Sequence, residues 1–116
     1  FATTCDMVGV RPEVPGKIDG VRLLPLLTRG ESLDREAIYW HFPHYSSNVP
    51  YGALRAGRYK LIEFFENGRL ELYDLKTDIA EQNDLSVKRP ELKRKLHGML
   101  RSWRDSIGAQ MPLPNP

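Results

Sequence analysis

Apolar and polar positions alternate along Tyr51–Leu75, and this stretch reads as three short strands joined by two tight turns. Ala56-Gly57 separates the first strand from the second, and Glu66-Asn67-Gly68 separates the second from the third. Asn-Gly between apolar runs predicts a type I′ hairpin turn, which needs positive φ at both central residues. Tyr59, Leu61 and Glu63 fall on one face of the middle strand, and Lys60, Ile62 and Phe64 on the other. Neither face is wholly polar, so the sheet calls for cover on both sides. A fourth strand is predicted at Ala37–Phe42, ended or confined to an edge by Pro43.

The period changes over Pro90–Ile107. Leu92, Leu96, Met99, Leu100, Trp103 and Ile107 form a helical stripe. Pro90 suits the first helical position, Glu91 suits the dipole of the first turn, and Gly108 suits the stop. Phe1, Cys5 and Val8 mark one face of a helix at the start, ended by Gly9, and the chain reads as beginning inside that element. Arg11–Gly20 is predicted to be a loop. Val21–Leu27 is one helical turn or an extended plug interrupted by Pro25, and Thr28–Glu36 is an exposed connection. His44–Pro50 and Lys76–Leu85 are polar loops, and Met111–Pro116 is an extended tail. The fold class expected is α+β: a small antiparallel sheet of about four strands packed on one long C-terminal helix.

Composition narrows the classes. The chain has 116 residues, 41% hydrophobic and 28% charged, enough for one domain with a modest core. No apolar run approaches the roughly 20 residues of a membrane helix, so no membrane partner is expected. A net charge of +2 is too small to imply a nucleic-acid partner. The single cysteine excludes an internal disulfide framework.

Four groups of residues invite chemistry. Cys5 has no neighbour that lowers a thiol pKa, and a small buried hydrophobe is the better account. His41 and His44, with Tyr45 beside them, end a strand and begin a loop, a setting for anion, metal or substrate binding. Structural hydrogen bonding competes with that role. Lys88, Arg89, Lys93, Arg94, Lys95, Arg101 and Arg104 mostly fall opposite the apolar stripe and read as a solvated helix face. Asp74, Asp78, Glu81 and Asp84 fit no EF-hand pattern and suit turns and caps.

The motifs in order say more. DMVGV, IDGVRLLPLL, IYWHFPHY, LRAGRYKLIEF and ELYDLKTDIAEQNDL resemble the C-terminal part of arylsulfatase-type sulfatases, in the alkaline-phosphatase-like superfamily. Ile79-Ala80 and Asn83-Asp84-Leu85 depart mildly from the family pattern. The resemblance implies that residues 1–36 are the end of a large N-terminal domain with its connecting segment, and that residues 37–116 are the C-terminal subdomain. It implies a parent enzyme that hydrolyses sulfate esters of carbohydrates, with loops of this subdomain near the mouth of the active site. His41, His44 and Tyr45 are then the candidate substrate-binding residues. The resemblance also implies calcium and a formylglycine in the parent, and neither in this chain: Cys5 is followed by Asp6-Met7-Val8-Gly9, which is not the formylglycine motif. It is compatible with a periplasmic or secreted protein. The competing readings are a stand-alone module binding a glycan or other polyanion, and a self-associating structural domain.

Overall fold

The computed structural model describes residues 1–11, 20–45 and 49–113. The predicted loop between Arg11 and Gly20, the middle of the His44–Pro50 loop and the last three residues of the tail lie outside the described residues. The chain divides into two compact units, Phe1–Arg35 and Glu36–Pro116.

The first unit holds two short helices, α1 (Ala2–Met7) and α2 (Leu24–Arg29). Arg22 pairs with Asp6 at 3.0 Å, and the Leu23 amide donates to Thr3 Oγ1 at 2.9 Å. The helix α2 begins later and runs further than the apolar pattern indicates. Pro25 opens it instead of interrupting it, because a first-turn proline has no intrahelical N–H to lose. Gly30, at φ 66°, closes it.

The second unit is α+β. Strands β1 (Ile38–Phe42), β2 (Tyr51–Ala56), β3 (Tyr59–Phe64) and β4 (Leu70–Asp74) form an antiparallel sheet in chain order, followed by α3 (Pro90–Ser106). Register places Leu54 opposite Leu61, and Leu61 opposite Leu72. These three leucines meet Leu96 and Leu100 of α3, and all five are buried. Tyr39 stacks on Trp103 at 4.8 Å, extending the core to β1. At about 25 cal/mol per Å² of apolar surface removed from water, this layer is the main source of the fold's stability.

The β3–β4 turn differs from a type I′ turn. Gly68 alone has positive φ, at 67°. The Gly68 amide donates to the Phe64 carbonyl and the Phe64 amide to the Arg69 carbonyl, both at 2.9 Å. Asn67 works through its side chain, which accepts the Arg69 amide at 2.9 Å. The loop therefore holds four residues and includes Phe65 and Glu66.

The face of the sheet away from α3 carries Ile38, Trp40, Tyr51, Ile62 and Phe64. Ile38 and Trp40 are 42% and 43% exposed.

Candidate functional site

One row of residues crosses the sheet near its end: His41 opposite Gly52, and Gly52 opposite Glu63. His41 lies between Trp40 and Phe42 in sequence, so strand alternation turns it to the other face, toward α3. Gly52 leaves the centre of the row without a side chain. A Cβ there would lie 3.1 Å from Phe65 Cζ and 3.2 Å from Arg104 Nη1. Phe65 reaches this place because its amide donates to the Pro50 carbonyl at 3.0 Å, continuing the β2–β3 pairing past the strand ends.

His41 packs against the Phe65 ring at 5.4 Å, and its Nε2 donates to the Gln110 carbonyl at 2.7 Å. Its Nδ1 is buried without a partner among the described residues. His44 is exposed and lies edge-on to Phe42 at 6.0 Å. Tyr45 is 69% exposed and donates to Glu66 Oε1 at 2.6 Å. That bond to Glu66 pushes the phenol's pKa up. Tyr45, Glu66, Phe65, Pro50, Met111 and Leu113 line a cleft of about 390 Å³. The Phe65-Glu66 turn thus brings His41 and Tyr45 to one end of the sheet. The two imidazoles do not converge, because His44 sits with Phe42, which faces away from His41.

Beneath this row is a buried charged cluster. Glu63 Oε2 lies 2.7 Å from Arg104 Nη1, and Glu63 Oε1 lies 3.0 Å from His97 Nε2. By hydrogen-bond geometry Glu63 Oε2, Arg104 Nη1 and His97 Nε2 stand unpartnered among the described residues. The charge pairing is set by distance and decides the energetics. Burial opposes ionisation of Glu63, but the contacts with Arg104 and then His97 outweigh it and hold its pKa below the ordinary value. Arg104 is therefore not on the solvated helix face. It is 8% exposed, and its guanidinium also lies over Phe65 at 5.3 Å. Its spacing, four after Leu100 and seven after His97, is the signal that places it on the packed side.

The acidic residues from the end of β4 onward bond to neighbouring backbone amides and to basic side chains. Asp74 accepts Arg58 Nε at 2.6 Å, and Asp78 accepts the Gln82 and Asn83 amides at 3.1 and 2.7 Å. Asp84 accepts the Leu72 and Ser86 amides at 3.0 and 2.8 Å. Glu81 receives Lys60 Nζ at 2.6 and 2.8 Å. With those lone pairs engaged, the group does not fit calcium. Among the described residues no cluster of three or more His, Cys, Asp or Glu side chains is placed to hold a metal ion. Cys5 is half-buried. Among the described residues, these side chains are not arranged to hold a metal, and the residues after Cys5 do not form a formylglycine motif. Among the described residues, no helix is long and apolar enough to cross a membrane.

Residues 1–106 match the family described as N-sulphoglucosamine sulphohydrolase, C-terminal. The chain belongs to this family. No match was found among curated proteins. Of the solved structures, one is a protein in complex with its substrate D-glucosamine-2-N,6-O-disulfate, with 28% identity and a TM-score of 0.76 over 96% of this chain. A 2-O GAG sulfatase shares 26% identity over 92%, with a TM-score of 0.74. A candidate sulfatase from Bacteroides thetaiotaomicron shares 25% over 98%, also with a TM-score of 0.74. This sulfatase C-terminal segment spans about a quarter of the length of each: 24%, 24% and 26%.

Proposed function

We propose that this segment completes a sulfatase that hydrolyses a sulfate ester on a carbohydrate, and that His44 and Tyr45 meet the substrate while His41 holds the loop and tail beside them. The observation that supports it most is the 28% identity, over nearly the whole chain, to a protein solved with a sulfated glucosamine. In this reading the nucleophile, a formylglycine, and the calcium ion belong to a large preceding domain of the parent, of which residues 1–36 are the end. The parent works outside the cytoplasm. The segment's own contribution is recognition. His44 is exposed and offers a ring N–H to a hydroxyl or sulfate oxygen, and Tyr45 with Glu66 offers acceptors to sugar hydroxyls. His41 has one nitrogen on Gln110 and the other buried, so its part is to position.

The test uses a full-length sulfatase carrying this segment. His44→Ala and Tyr45→Phe are expected to raise KM with a smaller change in kcat, a loss of about 1–3 kcal/mol of binding per contact. A lower melting temperature with unchanged kinetics of the folded enzyme overturns the recognition role. The segment alone should not turn over an aryl sulfate, and turnover near the parent's rate overturns the assignment of the reacting groups elsewhere.

A further inference from the structure

The contact between His41 and Gln110 joins residues 69 apart in sequence, and its chemistry fixes a proton. A carbonyl oxygen can only accept, so the ring nitrogen 2.7 Å from it carries the hydrogen. We infer that Gln110 is a positioning residue: its main-chain carbonyl holds His41 as the Nε2–H tautomer and ties the C-terminal tail to the strand end that carries His44 and Tyr45.

Both sides of this latch are built. On the ring side, Phe65 packs against His41 at 5.4 Å, and the Arg104 guanidinium lies over the Phe65 ring at 5.3 Å. Gly52, directly opposite His41, leaves the space that Phe65 fills. On the carbonyl side, α3 ends at Ser106, and Gly108, at a φ of 61°, turns the chain away from the helix. The Ala109 amide then donates to the Arg104 carbonyl at 3.0 Å, which sets the direction of the next peptide, the one that presents Gln110 to His41. Arg104 thus steadies the latch twice, through its main chain and through its side chain. Beyond Gln110, Met111 and Leu113 form one wall of the cleft whose other wall holds Tyr45 and Glu66. A latched tail is what gives that cleft two walls.

Long-range ¹⁵N–¹H NMR of the uniformly labelled 116-residue chain reads the tautomer directly. The expected result is a protonated Nε2 and an unprotonated Nδ1 for His41. Gln110→Ala keeps the main-chain carbonyl and should leave that pattern unchanged. His41→Gln keeps an N–H donor at similar reach, whereas His41→Leu removes it. The Met111 methyl resonance should hold its position in His41→Gln and move toward its unfolded-chain value in His41→Leu. An Nδ1–H form in the unmodified chain overturns the inference, and needs no variant to fold. So does an unmoved Met111 methyl in a cooperatively folded His41→Leu. The bearing on recognition rests on the proposed roles of His44 and Tyr45, but the tautomer does not. The expected tautomer together with an unchanged KM in His44→Ala removes the recognition reading and leaves the latch standing.

Discussion

Arg104 of the C-terminal helix lies 2.7 Å from Glu63 of the central strand β3, an ion pair inside the layer where helix meets sheet. Their side chains are 9% and 14% exposed. Removing one partner strands the other charge in poor solvent, so Arg104→Met should cost about 3 kcal/mol. Replacing both by apolar residues removes the stranded charge. The pair Glu63→Leu with Arg104→Met should therefore cost less than Arg104→Met alone. Chemical denaturation of the three proteins checks this, and a double variant less stable than the single one sinks it.

The same pair gives the fold an acid-sensitive point. Glu63 is held below its ordinary pKa against the opposing effect of burial. A carboxyl whose pKa is lower folded than unfolded adds stability above the unfolded value, about 4.3 for glutamate, and loses it as pH falls through the folded value. Melting temperature should fall from about pH 5 downward. Glu63→Gln should be less stable at neutral pH, fall less on acidification, and approach the unmodified protein at low pH. Asp74 and Asp84 are shifted the same way, so the slope should shrink without vanishing. Parallel curves for the two proteins would show that Glu63 carries none of the acid sensitivity.

Gly52 is a steric test of the row that joins His41 to Glu63. An added Cβ meets Phe65 and Arg104 at 3.1 and 3.2 Å, closer than ordinary contact. Arg104 is held by Glu63 and Phe65 by its backbone bond to Pro50, so neither gives way freely. Gly52→Ala should cost about 1–2 kcal/mol, at the lower end of overpacking. A stabilised Gly52→Ala, read by thermal melting, would mean that the cleft end of the sheet is loosely packed.

Much of this fold is legible in the sequence because its elements follow local rules. The stripe Leu92–Trp103 and the alternation in Tyr59–Phe64 report the faces that pack. The misreadings have physical causes. Pro25 reads as an interruption when propensity is considered alone, yet at a first turn it starts a helix. Asn67-Gly68 suggests a two-residue turn, but Phe65 is drawn inward to fill the space over Gly52, and that lengthens the loop. Arg104 reads as solvated because charge is the stronger prior, and only its spacing from Leu100 and His97 places it inside. The contact of His41 with Gln110 leaves no local trace, since it depends on where α3 ends relative to β1.

The sheet face turned away from α3 supports the last prediction. Ile38 and Trp40 on β1, Tyr51 on β2, and Ile62 and Phe64 on β3 share it. Trp40 and Ile38 are more than two-fifths exposed, and β1 is an edge strand of the sheet. An apolar surface larger than a few hundred Å² drives association, and an unpaired edge adds a template for it. The isolated 13.3 kDa chain should therefore self-associate in solution, with a mass that rises with concentration. Trp40→Glu places a charge on the edge strand of that face without touching the core leucines, and Ile62→Glu does so two strands further in. Each should shift the equilibrium toward monomer, because a buried carboxylate without a partner is costly. Sedimentation velocity over a hundredfold range of concentration separates the outcomes. If the unmodified chain stays monomeric throughout and melts cooperatively, the face is not sticky enough to matter. If it associates and neither substitution changes the mass, association runs through another surface.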